Sequence, residues 1–104
     1  GGHVEFEQNR WLEAFGLSLN LAGAYDALAE SPAVSGLGGA LSDLQILRAS
    51  VGNIFASLLK EMKSWLYREG LLETGVPVPP TAGALGDLGQ LEALQRSTLH
   101  LSTS

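Results

Sequence analysis

The chain has 104 residues, of which 45% are hydrophobic and 16% are charged, and it contains no cysteine. The net charge of −5 is too small to keep the chain unfolded, and the apolar fraction is ordinary for a globular protein. Disulfide scaffolds and cysteine-ligated metal sites are therefore excluded. The acidic balance argues against a nucleic-acid partner, which needs an excess of Lys and Arg.

The sequence also bears on location. No uninterrupted apolar stretch approaches the roughly 18 residues that a membrane-spanning helix requires. The first residues, Gly1 to Glu5, lack the basic start and apolar core of a signal peptide. Since a protein without cysteine suits a reducing compartment, we expect an intracellular protein, either cytoplasmic or nuclear.

The first predicted element is a helix over residues 9–30. Its apolar residues recur at spacings of three, four and seven, which places them on one broad helix face. They are Trp11, Ala14, Leu21, Ala24, Tyr25 and Leu28, with a second row at Leu12, Phe15, Leu19 and Ala22. On the other side, Gly16, Asn20 and Gly23 form a row of small residues. This row is either tolerated at the surface or shaped for the close approach of another helix.

A predicted linker over residues 31–41 follows. Pro32 should end the preceding helix, because proline lacks an N–H and disfavours helical angles in the residue before it. Several glycines follow it and would lose backbone entropy in any regular element. A second predicted linker covers residues 70–86, where three prolines between Pro77 and Pro80 favour an extended spacer.

The second helix, over residues 42–69, has the clearest pattern in the chain. Apolar residues follow steps of three and four along its length: Leu44, Leu47, Val51, Ile54, Leu58, Met62 and Trp65. Ser42 and Gln45 match a capping box at its start. Gly70 is placed to end it in a left-handed conformation.

A shorter third helix is predicted over residues 87–98, with Asp87 and Gln90 as a cap pair. Strand signals are weak throughout the chain. The predicted fold is all-α: residues 1–104 form a single helical domain, in which a long antiparallel helical hairpin is accompanied by a short third helix. The short linker 31–41 lets the first two helices fold back on each other. We expect oligomerisation or partner docking to complete a helical bundle.

A search for chemistry in the sequence finds no catalytic constellation. The two histidines, His3 and His100, lie near the chain ends and cannot be placed on a rigid element beside a nucleophile. No helical metal-binding motif occurs. We therefore predict a protein that is not an enzyme and has no cofactor, metal or catalytic residues.

The leading functional hypothesis is a helical protein–protein interaction or oligomerisation module, such as a scaffold or adaptor. The helices have more apolar surface than 104 residues can bury, so the partner is a second copy, as in a homodimer, or another helical protein. Such a module can also be a fragment of a larger protein. The interface candidates are Trp11, Phe15, Leu19, Val51, Phe55, Leu58, Met62 and Trp65. The alternative is a carrier of a lipid-like apolar ligand, with a cavity between helices.

Overall fold

The computed structural model describes residues 2–73 and 83–99. Within them the fold is all-α: 90% of the residues are helical and no strand is present. The helices are α1 (Gly2–Glu30), α2 (Pro32–Ser35), α3 (Gly38–Arg68) and α4 (Ala84–Leu94), and a π-helical turn, Gln95–Leu99, continues α4. The predicted proline-rich spacer around residues 77–80 and His100 lie outside the described residues.

Helix α1 begins at Gly2 rather than near Asn9, and it ends at Glu30 as predicted. The reason for the end is local. Ser31 adopts an extended backbone conformation, its hydroxyl accepts a hydrogen bond from the Ala33 N–H at 3.3 Å, and Pro32 starts the next helix. Proline is favoured at the first helical position because its missing N–H would have no partner there.

The predicted linker over residues 31–41 is largely helical, which corrects the sequence interpretation. The four-residue helix α2 lies in it, and α3 begins at Gly38 rather than at Ser42. Leu37 is the first flanking residue of α3, and its carbonyl accepts a hydrogen bond from the Leu41 N–H at 3.0 Å. The predicted capping box at Ser42 is therefore wrong, since Ser42 lies inside the helix. The two glycines of the first turn are exposed, and the first buried side chain of α3 is that of Leu44, farther along the helix.

The end of α3 agrees with the prediction. Gly70 has φ +74°, in the left-handed region that glycine tolerates best. Its N–H donates to the Tyr67 carbonyl at 3.0 Å, and the Leu71 N–H donates to the Leu66 carbonyl at 2.8 Å. These bonds satisfy carbonyls that the last turn of a helix leaves without partners.

Helix α4 starts before the predicted cap pair. Gly83, with φ +83°, precedes the helix, and its carbonyl accepts a hydrogen bond from the Asp87 N–H at 3.0 Å. Asp87 therefore lies in the first turn of α4 rather than at its cap. The π-helical turn that follows ends at Leu99, whose side chain is buried.

The two long helices, joined by the short α2, share the core. Phe15 of α1 meets Phe55 of α3 edge to face, with ring centroids 5.0 Å apart. Residues early in α1 contact residues late in α3: the rings of Trp11 and Trp65 lie 6.5 Å apart. The buried cluster consists of Phe15, Ala22, Val51, Phe55, Leu59, Met62, Trp65, Leu66, Leu88, Leu91 and Leu99. None of the helices in the described parts of the chain is long and apolar enough to cross a membrane.

Candidate interaction surface

The eight residues predicted as interface candidates lie in or against the core of a single copy. Five of them are buried side chains: Phe15, Val51, Phe55, Met62 and Trp65. Trp11, Leu19 and Leu58 are partly buried and pack against that core. These side chains hold α1 and α3 together, so among them only the partly buried Trp11, Leu19 and Leu58 leave surface that a partner can reach.

One side of the α1–α3 pair, here called the covered face, is occupied by α4. Leu88 of α4 is 0% exposed. Polar contacts fasten α4 to both long helices: the side-chain amide of Gln8 in α1 donates to the Asp87 carboxylate, and Lys63 Nζ in α3 lies 2.8 Å from Glu92 Oε2. Helix α4 therefore covers this side of the pair, packing mainly on α3 and reaching α1 through Gln8.

A second surface, here called the open face, consists of large apolar side chains that remain exposed on both long helices. Leu17 is 62% exposed and Ile54 is 51% exposed. The open face is defined by Leu17, Leu21 and Leu28 of α1 and by Leu47 and Ile54 of α3. Their spacings of four and seven keep the members of each helix in one stripe. Isolated exposed leucines are common, whereas apolar side chains aligned on adjacent helices form a candidate binding surface.

Helix geometry places the open face opposite the covered face. Leu17 follows Gln8 by nine residues, which is two and a half turns at 3.6 residues per turn. Lys63 follows Ile54 by the same interval. Since Gln8 and Lys63 both contact α4, the stripes of α1 and α3 both point away from it. They therefore lie on the same side of the pair.

Two shallow hollows flank one end of the open face. The larger, of about 280 Å³, is lined by Asn53, Ile54, Ser57, Leu58 and Glu61 on α3. The other, of about 190 Å³, is lined by Glu7, Arg10, Trp11 and Ala14 on α1. Each is formed along one helix, which suits side chains of a docked helix better than a small molecule that must be enclosed.

Charged side chains extend both stripes at this end. Arg10 lies seven residues before Leu17 on α1, and Glu61 lies seven residues after Ile54 on α3. The Arg10 side chain is 67% exposed; its guanidinium lies 5.9 Å from the Phe6 ring centroid, and its Nη1 lies 3.5 Å from Glu7 Oε1. The apolar stripes thus end in a cation on one helix and an anion on the other.

The row of small residues on α1, Gly16, Asn20 and Gly23, has free space around its two glycines. A Cβ added at Gly16 or at Gly23 would meet no atom within 4 Å. In a single copy, these positions are therefore not sites of close helix–helix approach.

Groups that serve catalysis or metal binding are sparse. In residues 2–73 and 83–99, no cluster of three or more His, Asp or Glu side chains is placed to hold a metal ion. His3 lies near the start of α1, and its Nε2 is 3.2 Å from Glu69 Oε1 at the surface.

No protein-family model, no curated protein and no solved structure matches this chain. The interpretation of the surface therefore depends on the geometry of its own residues. Sequence reasoning placed Leu21, Leu28, Leu47 and Ile54 in apolar stripes without naming them as interface residues, and it missed Leu17. The available signal was the width of the stripes, which exceeds the part of a helix that one neighbour can cover.

Proposed function

We propose that the protein is a non-enzymatic helical interaction module that binds a helical protein through the open face. The observation behind this proposal is the pair of exposed apolar stripes on the side of α1 and α3 that α4 does not cover. In this proposal α1 and α3 form an antiparallel hairpin that supplies half of a larger helical bundle.

The expected binding mode is a helix lying along the groove between α1 and α3. Such docking uses apolar side chains spaced by three, four and seven residues, as the stripes of α1 and α3 are. Complete burial of a Leu or Ile side chain contributes about 1.5–3 kcal/mol. Leu17 and Ile54 are already partly covered, so each would contribute less than that on docking.

The apolar-ligand carrier remains the second hypothesis from the sequence. Its expected cavity would lie among side chains such as Phe15, Phe55 and Met62. These three side chains are at most 1% exposed, and the two phenyl rings touch edge to face. Because that packing fills the space between them, we favour binding at the open face over binding between the helices.

Site-specific photo-cross-linking tests the proposed function. A photoreactive amino acid replaces Ile54 on the open face in the full chain, expressed in the cells from which the chain comes. The matched control replaces Glu5, which is also exposed but lies on another side of α1. We expect a discrete protein adduct from position 54 and none from position 5. Equal labelling at both positions, or no adduct at position 54, would contradict the proposal.

A further inference from the structure

We propose that the occupant of the open face is a second copy of this chain, stacked so that α1 of each copy lies on α3 of the other. This inference rests on the proposed function, because it names the partner of the same surface. The two copies would be related by a twofold axis parallel to the long helices, which gives a four-helix arrangement whose neighbouring helices are antiparallel.

The contacts within one copy show which residues of α1 and α3 lie at the same height, that is, at the same position along the long axis of the pair. Phe15 lies beside Phe55, and Trp11 lies beside Trp65. The midpoint of Trp11 and Phe15 in α1 is position 13, and the midpoint of Trp65 and Phe55 in α3 is position 60. Positions 13 and 60 therefore lie at the same height along the pair. A twofold axis parallel to the helices preserves these heights. It therefore brings each α1 residue opposite the α3 residue of the second copy at the same height.

At the charged end, this arrangement pairs opposite charges. Arg10 of one copy comes near Glu61 of the other, and Glu13 comes near Lys60. All four side chains belong to exposed residues. Within one copy, the ion pairs His3–Glu69 and Asp26–Arg48 join α1 to α3 at other heights. Both pairs occur twice, since the twofold axis repeats every contact.

The apolar residues match in the same register. The side chain of Ile54 falls between the heights of Leu17 and Leu21 of the second copy, and Leu47 falls near the height of Leu28. Turning the second copy end over end about the middle of the open face would instead bring Arg10 over the connection 31–37, which has no charged residue. Charge complementarity therefore favours the arrangement in which α1 lies on α3.

The first measurement is the mass in solution, by sedimentation velocity of the full chain across micromolar concentrations. We expect a reversible species of twice the 10.9 kDa mass of one chain. A monomer that persists at tens of micromolar would overturn the inference. If the photo-cross-link at position 54 then captures a different protein, the proposed function stands while the second-copy inference fails.

The second measurement tests the register by charge exchange between chains. Arg10→Glu alone and Glu61→Arg alone each place like charges opposite each other twice, and we expect each to weaken self-association by roughly 10-fold. An equimolar mixture of the two variants restores both opposite-charge contacts in the mixed dimer. We expect that dimer to form with about the affinity of the original protein.

Mixing distinguishes contacts between copies from contacts within one copy, because an internal Arg10–Glu61 contact would not favour the mixed species. The matched control is Glu5→Arg, which changes the net charge as Glu61→Arg does but lies away from the open face. We expect its self-association to be unchanged. Dimerisation without preference for the mixed species would overturn the proposed register. Circular dichroism of each variant verifies that the helices are retained.

Discussion

The two faces of the α1–α3 pair differ in what lies on them, although both are built from apolar positions of the same two helices. On the covered face, Leu88 of α4 is 0% exposed, whereas Leu17 on the open face is 62% exposed. Helix α4 has 11 residues and α3 has 31, so the short helix covers one side of the pair and leaves the other. The comparison shows that part of the exposed apolar surface is aligned on one side of the pair, whereas other exposed apolar side chains, such as Leu37 and Leu94, lie outside it.

A substitution in the core between α1 and α3 should change the free energy of unfolding most. Phe55 is 0% exposed and contacts Phe15, so Phe55→Ala removes a buried ring and leaves a cavity between α1 and α3. We expect a loss of about 3–5 kcal/mol in the free energy of unfolding, measured by denaturant titration. Phe6→Ala is the matched control, because Phe6 is 60% exposed. Equal losses for the two variants would show that Phe55 is not a core residue.

A Leu→Ala substitution should change the free energy of unfolding by different amounts on the two faces. Leu88→Ala on the covered side should lower the free energy of unfolding by about 2–5 kcal/mol, because it leaves a cavity beneath α4. Leu17→Ala on the open face should change it by no more than about 0.5 kcal/mol under conditions where the protein is monomeric. Thermal and denaturant unfolding at low concentration measure both. If Leu17→Ala costs as much as Leu88→Ala in the monomer, the distinction between the faces is wrong.

Two glycines provide a contrast in backbone conformation. Gly70→Ala should lower the free energy of unfolding by roughly 1–2 kcal/mol, because φ +74° strains any residue with a Cβ. Gly23→Ala should raise it by about 0.5–1 kcal/mol, since Gly23 is exposed inside α1 and an added Cβ meets no atom within 4 Å. Differential scanning calorimetry at low protein concentration shows whether each substitution raises or lowers the stability of the monomer. If Gly23→Ala preserves monomer stability but abolishes self-association, the small-residue row contacts a second copy.

The smallest effect should come from the ion pair that fastens α4. Lys63 and Glu92 lie 2.8 Å apart at a partly exposed site. Lys63→Ala should lower the free energy of unfolding by about 0.2–1 kcal/mol, and the difference from the original protein should shrink in high salt. At concentrations where the protein is monomeric, Lys60→Ala provides the control, because Lys60 is exposed and its proposed contact with Glu13 forms only between copies. A larger loss in the free energy of unfolding that does not change with salt concentration would mean that the aliphatic part of Lys63 contributes by packing.

The helical class and several helix ends follow from local signals. The step pattern of α3 predicts four of its buried residues, Leu44, Val51, Met62 and Trp65, but it also includes the exposed Leu47 and Ile54. The helix ends beside Pro32 and Gly70 follow from constraints on single residues. The start of α3 could not be predicted in this way. Gly38 and Gly39 disfavour a helix locally, and they are helical as the exposed first turn of an element whose buried residues begin at Leu44.

The proposed interaction surface is harder to predict from the sequence than the helices. A stripe of apolar residues shows which residues avoid water, but it does not show which neighbour covers them. Phe15 and Phe55 turn inward because α1 and α3 pack on each other there, whereas Leu17 and Ile54 lie outside, on the side that α4 does not cover. The position of α4 depends on contacts such as Gln8 with Asp87, which are distant in sequence.

The short connection through α2 also has a kinetic consequence. Arg48 donates to Asp26 at 2.9 Å across a separation of 22 residues, so the end of the pair beside α2 closes with little loss of chain entropy. Contact between His3 and Glu69 requires nearly the full length of both helices to be aligned first. We therefore expect folding to begin beside α2 and to proceed toward the end that holds Arg10 and Glu61. That end, where a second copy would find its charge partners, would be the last to form and the first to open.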